Sequence, residues 1–250
     1  MSLAPRWMPI LCALALAPAP GRADAPALVP SLDLEVGVVS VGRNDVRIPA
    51  DGGTRFSLAE GAFSPRSAPY VRVRGEIAFG RHHLLATFAP LRIESTGNDG
   101  DSIFFAGQSF DPGLTTARYR FDTYRLTYRY ALLQRDRVGL QVGATALLRD
   151  AEIRLTGGGA SASKKNVGVV PLLSLRAAWR IAGPLSLVLD GDALAAPQGR
   201  AEDASLALEL ETGGLRFRAG YRIVEGGTDG KSVYNFALLH HLGAGVTYDF

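Results

Sequence analysis

Residues 187–203 read LVLDGDALAAPQGRAED, an apolar, strand-like run that carries Asp190 and Asp192 two positions apart, breaks at Pro197 and resumes through Arg200, Glu202 and Asp203. Two carboxylates at this spacing share one face of an extended chain. Such a pair serves general acid–base catalysis, metal ligation or ion pairing with arginine. For catalysis, Ser205 or Ser174 with His241 would supply a nucleophile and a base for an acid to orient. For metal ligation the chain offers little. NDGD at 98–101 is acidic but lacks the spacing of a calcium loop, and the pairs His82–His83 and His240–His241 have no matching ligand cluster. No metal and no cofactor is expected. For ion pairing the supply is ample: lysine occurs only at 164, 165 and 231, so arginine makes up the remaining 24 of 27 basic residues.

Which chemistry applies depends on what holds these residues. The first 25 residues combine a basic start at Arg6, an apolar core from Trp7 to Ala17 and small residues before a cleavage point after Ala23 or Ala25, the pattern of an export signal. The single cysteine, Cys12, lies inside it, so residues 26–250 form one domain without disulfides. Without Arg6 and Arg22 the exported part is close to neutral, and no nucleic-acid partner is implied.

Beyond the leader, hydrophobicity alternates with period two over ten runs: 31–41, 66–80, 82–95, 116–133, 137–155, 166–181, 184–195, 201–211, 215–226 and 232–250. The connections alternate between short turns (GR, QRD, AG, TGG) and longer segments at 42–65, 96–115, 156–165, 196–200 and 227–231. That wiring predicts an all-β, transmembrane, antiparallel up-and-down β-barrel of about ten strands, with eight or twelve as alternatives. Within the longer segments, GGGASASKK at 157–165 reads as a flexible loop and EGGTDGKS at 225–232 as a hairpin loop. Phe236, Leu238, Leu242, Ala244, Val246, Tyr248 and Phe250 take the lipid side of the last run. Val71, Val73, Ile77 and Phe79 oppose Arg72, Arg74 and Glu76, and Leu215, Phe217, Ala219 and Tyr221 oppose Arg216, Arg218 and Arg222. Aromatic girdles are expected from Phe79, Tyr130, Trp179, Tyr248 and Phe250 at one end and from Tyr70, Tyr119, Phe121, Tyr234 and Phe236 at the other. In 137–155 the apolar parity changes across RDAE, predicting a β-bulge near Arg149–Ala151 that turns Asp150, Glu152 and Arg154 inward.

The last strand, ending GVTYDF with Val246, Tyr248 and Phe250, resembles the assembly signal of bacterial outer-membrane β-barrel proteins. The resemblance implies an outer-membrane location with the longer loops outside the cell. It also implies partnership with periplasmic chaperones, the assembly machinery, membrane lipid and lipopolysaccharide, and a monomer. Two families of barrel enzymes bear on particular residues. Asp190 and Asp192 are similar to one acidic pair of the omptin proteases, but no histidine near the outer rim has an aspartate two residues away. A lipid A deacylase would need Ser205 or Ser174 accessible to an acyl chain, whereas these residues fall on the inward parity.

On this scaffold the carboxylates face the lumen. The reading is a network of Arg72, Arg125, Arg149, Asp150, Glu152, Arg154, Asp190, Asp192 and Arg222 filling a narrow interior. The expected function is non-enzymatic, a plugged barrel or a narrow pore for small solutes. The alternatives are an outer-membrane hydrolase using Asp190, Asp192, His241 and Ser205, or a surface-binding protein or adhesin acting through loops 42–65 and 96–115.

Overall fold

A computed structural model describes residues 28–197 and 199–250; the expected export signal lies outside them. The described chain folds into strands: β1 (Leu28–Arg47), β2 (Phe56–Ser57), β3 (Phe63–Pro65), β4 (Ala68–Phe79), β5 (His82–Ala89), β6 (Arg92–Asp99), β7 (Ile103–Phe105), β8 (Gln108–Phe110), β9 (Gly113–Gln134), β10 (Val138–Gly157), β11 (Ala160–Ala182), β12 (Leu185–Ala196), β13 (Gly199–Thr212), β14 (Leu215–Asp229) and β15 (Tyr234–Asp249). Ten staves close antiparallel in the order β10, β11, β12, β13, β14, β15, β1, β4, β5 and β9, with β9 pairing back to β10. β6 prolongs the stave of β5, since both pair with β9. The ten strands read from alternation are all present, and the short turns fall at 80–81, 135–137, 183–184 and 213–214.

At the other end the strands run further than alternation indicates. Residues 156–165 are not a flexible loop. Gly158 and Gly159, with φ of 57° and 81°, make a two-residue turn, and Ala160–Lys165 pairs with Glu152–Gly157. Successive positive φ values are the requirement of a type I′ hairpin, which glycine meets without strain; Gly213–Gly214 repeats it with 57° and 80°. Likewise β14 continues to Asp229 and β13 begins at Gly199, so 227–231 and 196–200 also shrink. Only the segments after β1 and β6 remain long.

The exterior is a band of exposed apolar side chains. Leu32, Leu34, Val36 and Val38 on β1, Leu206, Leu208 and Leu210 on β13, and Leu173 and Leu175 on β11 belong to it. A continuous surface of this kind fits lipid. The interior at the same height is polar, with Asp33, Glu35, Arg72, Arg125, Arg129, Asp190 and Arg222 all buried.

Above the band the pattern inverts. On β10, Leu147, Ile153 and Leu155 are buried, and the alternate positions Asp150, Glu152 and Arg154 face out. Arg120 on β9 pairs with Asp150 at 2.6 Å and Arg154 with Glu152 at 2.9 Å. The predicted bulge is therefore corrected: β10 and β11 stay in unbroken register from Val138 to Gly157. What changes is the solvent on the outside, from lipid to water, so the apolar side chains switch to the inner face without any change in backbone phase. The register shift that does exist near this level lies in β1 between Val41 and Arg43.

The inner apolar residues at this end form a cap. Val39, Val46, Ile48, Phe56, Leu58 and Phe63 from β1 and the segment after it meet Ile103, Phe105 and Phe110 of the β7–β8 hairpin, together with Ile153, Leu155 and Leu239. Tyr119 belongs to this cluster and Phe121 packs on it, while the Tyr70 hydroxyl donates to Glu35 at 3.0 Å. These three aromatics therefore point inward and do not form the expected outer girdle. Trp179, Tyr248 and Phe250 at the opposite end are exposed as expected.

These orientations separate two substitutions. Leu206→Arg, on the lipid face, should cost about 2–4 kcal/mol, whereas Glu152→Ala, on the watered outer face, should cost under about 1 kcal/mol. Urea unfolding from lipid vesicles measures both; a larger loss for Glu152→Ala would return that residue to the lumen.

Candidate functional site

β12 delivers Asp190 and Asp192 to the lumen because they share the parity of buried Val188 while Leu189, Gly191 and Ala193 face out. Opposite them, β9 contributes Arg125 and Arg129 from TYRLTYRYA, where Tyr124, Leu126 and Tyr128 take the lipid side. Arg129 holds Asp190 bidentately at 2.9 and 3.1 Å and donates from Nε to Ser174 at 2.8 Å. Its second nitrogen lies 3.9 Å from Asp192. Arg125 bridges Asp192 at 2.8 Å and Asp203 at 2.7 Å. Arg222 joins Asp203 at 2.7 Å to Glu35 at 3.2 Å, and Arg218 joins Glu35 at 2.9 Å to Asp33 at 2.5 Å. Arg74 reaches Asp33 at 3.8 Å and returns to Asp190 at 3.6 Å.

Five carboxylates and five arginines thus alternate in a closed ring: Asp190, Arg129, Asp192, Arg125, Asp203, Arg222, Glu35, Arg218, Asp33 and Arg74. It crosses the lumen, because β9 and β12 are three staves apart. Arg72 adds a contact to Asp203 at 3.4 Å, and Arg176 links Asp190 at 3.5 Å with Glu209 at 3.3 Å. Thr145 and Thr247 donate to Asp192 and Asp33 at 3.0 and 2.6 Å. Alternation cancels the charge locally, which is the condition for holding so many ions away from water. Space is made by glycine where a bulky side chain crosses: a Cβ on Gly243 would stand 2.1 Å from the Tyr70 hydroxyl.

Of the residues expected in the network, Arg72, Arg125, Asp190, Asp192 and Arg222 meet in these ion pairs. Arg149 also points inward but, among the described residues, donates to the Asn166 side chain alone, at 2.7 Å. Asp150, Glu152 and Arg154 are on the outer face, a correction that follows from the inversion described above. Asp33, Glu35, Arg74, Arg129, Asp203 and Arg218 complete the ring without having been anticipated as members. Their signal was the alternation itself, as in SLDLEVGV, where Asp33 and Glu35 interleave with Leu32, Leu34 and Val36.

The catalytic combination is not assembled. Asp190, Ser205, Arg222 and His241 lie in one register row across β12, β13, β14 and β15. Arg222 therefore stands between Ser205 and His241, two strand spacings or about 10 Å apart. The Ser205 hydroxyl donates to the Asp190 carbonyl at 3.2 Å, and His241 packs edge-on against Tyr70 at 4.8 Å. Among the described residues no cluster of histidine and carboxylate side chains could hold a metal ion. Val246, Tyr248 and Phe250, the expected assembly signal, stand on the outer side of β15 and just past it, with Tyr248 and Phe250 in edge contact.

Above the ring, under the cap, lies a second feature. A void with an open mouth is lined by Tyr119, Phe121, Leu147, Val170, Leu172 and Leu239, with Arg149 and Lys164 on the same wall and Arg125 and Asp203 at its floor.

Comparison of the sequence with protein-family models and with curated proteins returned no match. Solved structures do match. The outer-membrane protease OmpT from Escherichia coli superposes with a TM-score of 0.50 at 12% identity, covering 90% of this chain and 97% of that one. The β domain of the Bordetella autotransporter BrkA gives 0.49 at 14% identity, covering 91% and 100%, and Ail of Yersinia pestis 0.40 at 10%, covering 88% and 99%. The chain has the fold of bacterial outer-membrane β-barrels.

Asp203 is held by Arg72, Arg125 and Arg222, so Asp203→Ala leaves buried guanidinium groups without their partner and should cost roughly 3–5 kcal/mol. Urea titration of the refolded barrel tests this, with heat-modifiable migration on gels confirming closure.

Proposed function

We propose that this protein is a sealed barrel of the bacterial outer membrane that lacks an aqueous path and works from its extracellular half as a binding protein. The observation that carries this reading is the closed ring of alternating arginine and carboxylate across the lumen. A ten-stranded barrel has an interior only a little wider than one that side chains fill, and far narrower than that of porins of about 16 to 18 strands, which leave an aqueous channel. The cap supports the reading independently. The two long segments turn Ile48, Phe56, Leu58, Phe63, Ile103, Phe105 and Phe110 inward, where they close the outer end with apolar contacts. Those segments therefore act as lids on the barrel as well as presenting surface outside it. A hydrolase in the lumen finds no support in the geometry, since Asp190 is saturated by three arginines and Ser205 is apart from His241.

In planar bilayers the mature chain should be electrically silent. Removing residues 101–111, the β7–β8 hairpin, should leave it silent because the ring still closes. Arg125→Ser combined with Arg222→Ser should admit small current steps. Reproducible steps from the unaltered protein would overturn the sealed reading.

A further inference from the structure

The wall of the barrel is not continuous at its outer edge. β11 pairs with β12 only from Leu173↔Ala193 downward, and above that point Ala160–Leu172 pairs with β10 alone among the described residues. Pro171, at the parting, has no N–H to offer a neighbour, and Pro197 ends β12 on the other side. The outward side chains of the freed segment are still apolar: Val167 and Val169 are 65% and 69% exposed, and polar character begins at Lys165. Since Val169 stands opposite Leu148 and Val167 opposite Asp150, the parting opens at the upper edge of the lipid-facing band. Unpaired backbone at membrane depth is tolerated where it lines a cavity rather than lipid, and the void described above is that cavity. Val170 and Leu172 of the parted edge line it, and so do Arg200 and Glu202, which belong to the outer face of β13. The void thus communicates sideways with the exterior.

Its lining is graded in polarity. At the height of the parting the inner wall is Leu147, Val170 and Leu172; one to three turns of the pleat higher it becomes Arg149, Asn166 and Lys164. Neither cation lies within ion-pairing distance of a carboxylate among the described residues, and Nε of Arg149 is buried without a hydrogen-bond partner, as are those of Arg125 and Arg222 in the ring. The ring arginines differ in that each touches carboxylates. Along this one wall, between the charged floor of Arg125 and Asp203 and the apolar cap of Ile48, Ile153 and Val233, apolar side chains below and cations above match a lipid in the outer leaflet, whose chain points inward and whose headgroup points to the medium.

We propose that the parting between β11 and β12 is a lateral doorway through which a single-chain amphiphile with an anionic headgroup leaves the outer leaflet and occupies the cavity, its chain against Val170 and Leu172 and its headgroup on Arg149 and Lys164. The proposal rests on the sealed-barrel reading for its floor: the ring keeps the cavity from draining into the lumen. Both a free fatty acid and a lysophospholipid have this chemistry.

The test uses the mature chain in phosphatidylcholine nanodiscs and tritiated palmitate as probe. Saturable binding above protein-free discs is expected, with the matching long-chain alcohol competing poorly. Arg149→Ala with Lys164→Ala should weaken palmitate binding about tenfold or more, the loss of charge-assisted contacts. Leu172→Cys with Leu194→Cys should lose binding on oxidation and regain it on reduction; should that bridge not form, the Arg149 and Lys164 comparison decides. Absence of saturable binding by a barrel that migrates as folded, or binding unchanged by removal of both cations, overturns the proposal. Mass spectrometry of lipid extracted with protein purified from native membranes separates the sources: fatty acid supports the free acid, lysophospholipid the leaflet lipid. A barrel that conducts yet binds palmitate fails the sealed reading alone, and a silent barrel that binds none fails this one alone.

Discussion

An arginine removed from water needs a carboxylate beside it, and a carboxylate so removed needs an arginine. In this barrel each ring member meets that need twice, with a neighbour on either side, so no single pair can be displaced without disturbing the next. Six staves supply the members: β1, β4, β9, β12, β13 and β14. Their heights must agree within the reach of a side chain. The ring therefore fixes the relative stagger of strands on opposite sides of the lumen, a relation that backbone pairing between adjacent strands controls only indirectly.

The same fold meets two solvents on its outer surface. Where lipid surrounds it, polar groups are confined to the inside; where water surrounds it, they move out and the inside becomes an ordinary apolar core. β10 passes through both regimes within one unbroken strand, with Leu148 outside in the lower regime and Ile153 and Leu155 inside in the upper. The outer tier, with Arg92 bonded to Asp122 and Arg120 to Asp150, is a watered charged surface. Ion pairs thus cross the barrel in its middle and apolar side chains meet at its outer end, and the cavity lies between these two layers.

Likeness of fold does not carry function here. OmpT shares the barrel fold at 12% identity, but function resides in particular side chains grafted on a fold. In this chain the lumen carboxylates are saturated by arginine. The groups left without such partners, Arg149 and Lys164, stand by the apolar cavity and the parted wall.

Strand number, the wiring of short turns and the lipid-facing parity were legible in the sequence, because each follows from a two-residue period and from turn residues that act locally. Aspartate at 190 and 192 was legible as inward-facing for the same reason. The partners of those aspartates were not: Arg218 and Asp33 are separated by 185 positions and Arg222 and Glu35 by 187, and only closure and stagger bring them together. The exchange of inside and outside along β10 was visible as a change of parity but was misread as a bulge, since a sequence records a phase change without saying whether backbone or solvent caused it. The tight Gly158–Gly159 turn, the inward Tyr70, Tyr119 and Phe121, and the parting above Leu173 and Ala193 were likewise decided by tertiary structure. Each depends on how high a strand stands relative to its neighbours and to the membrane, which no local pattern of residues encodes.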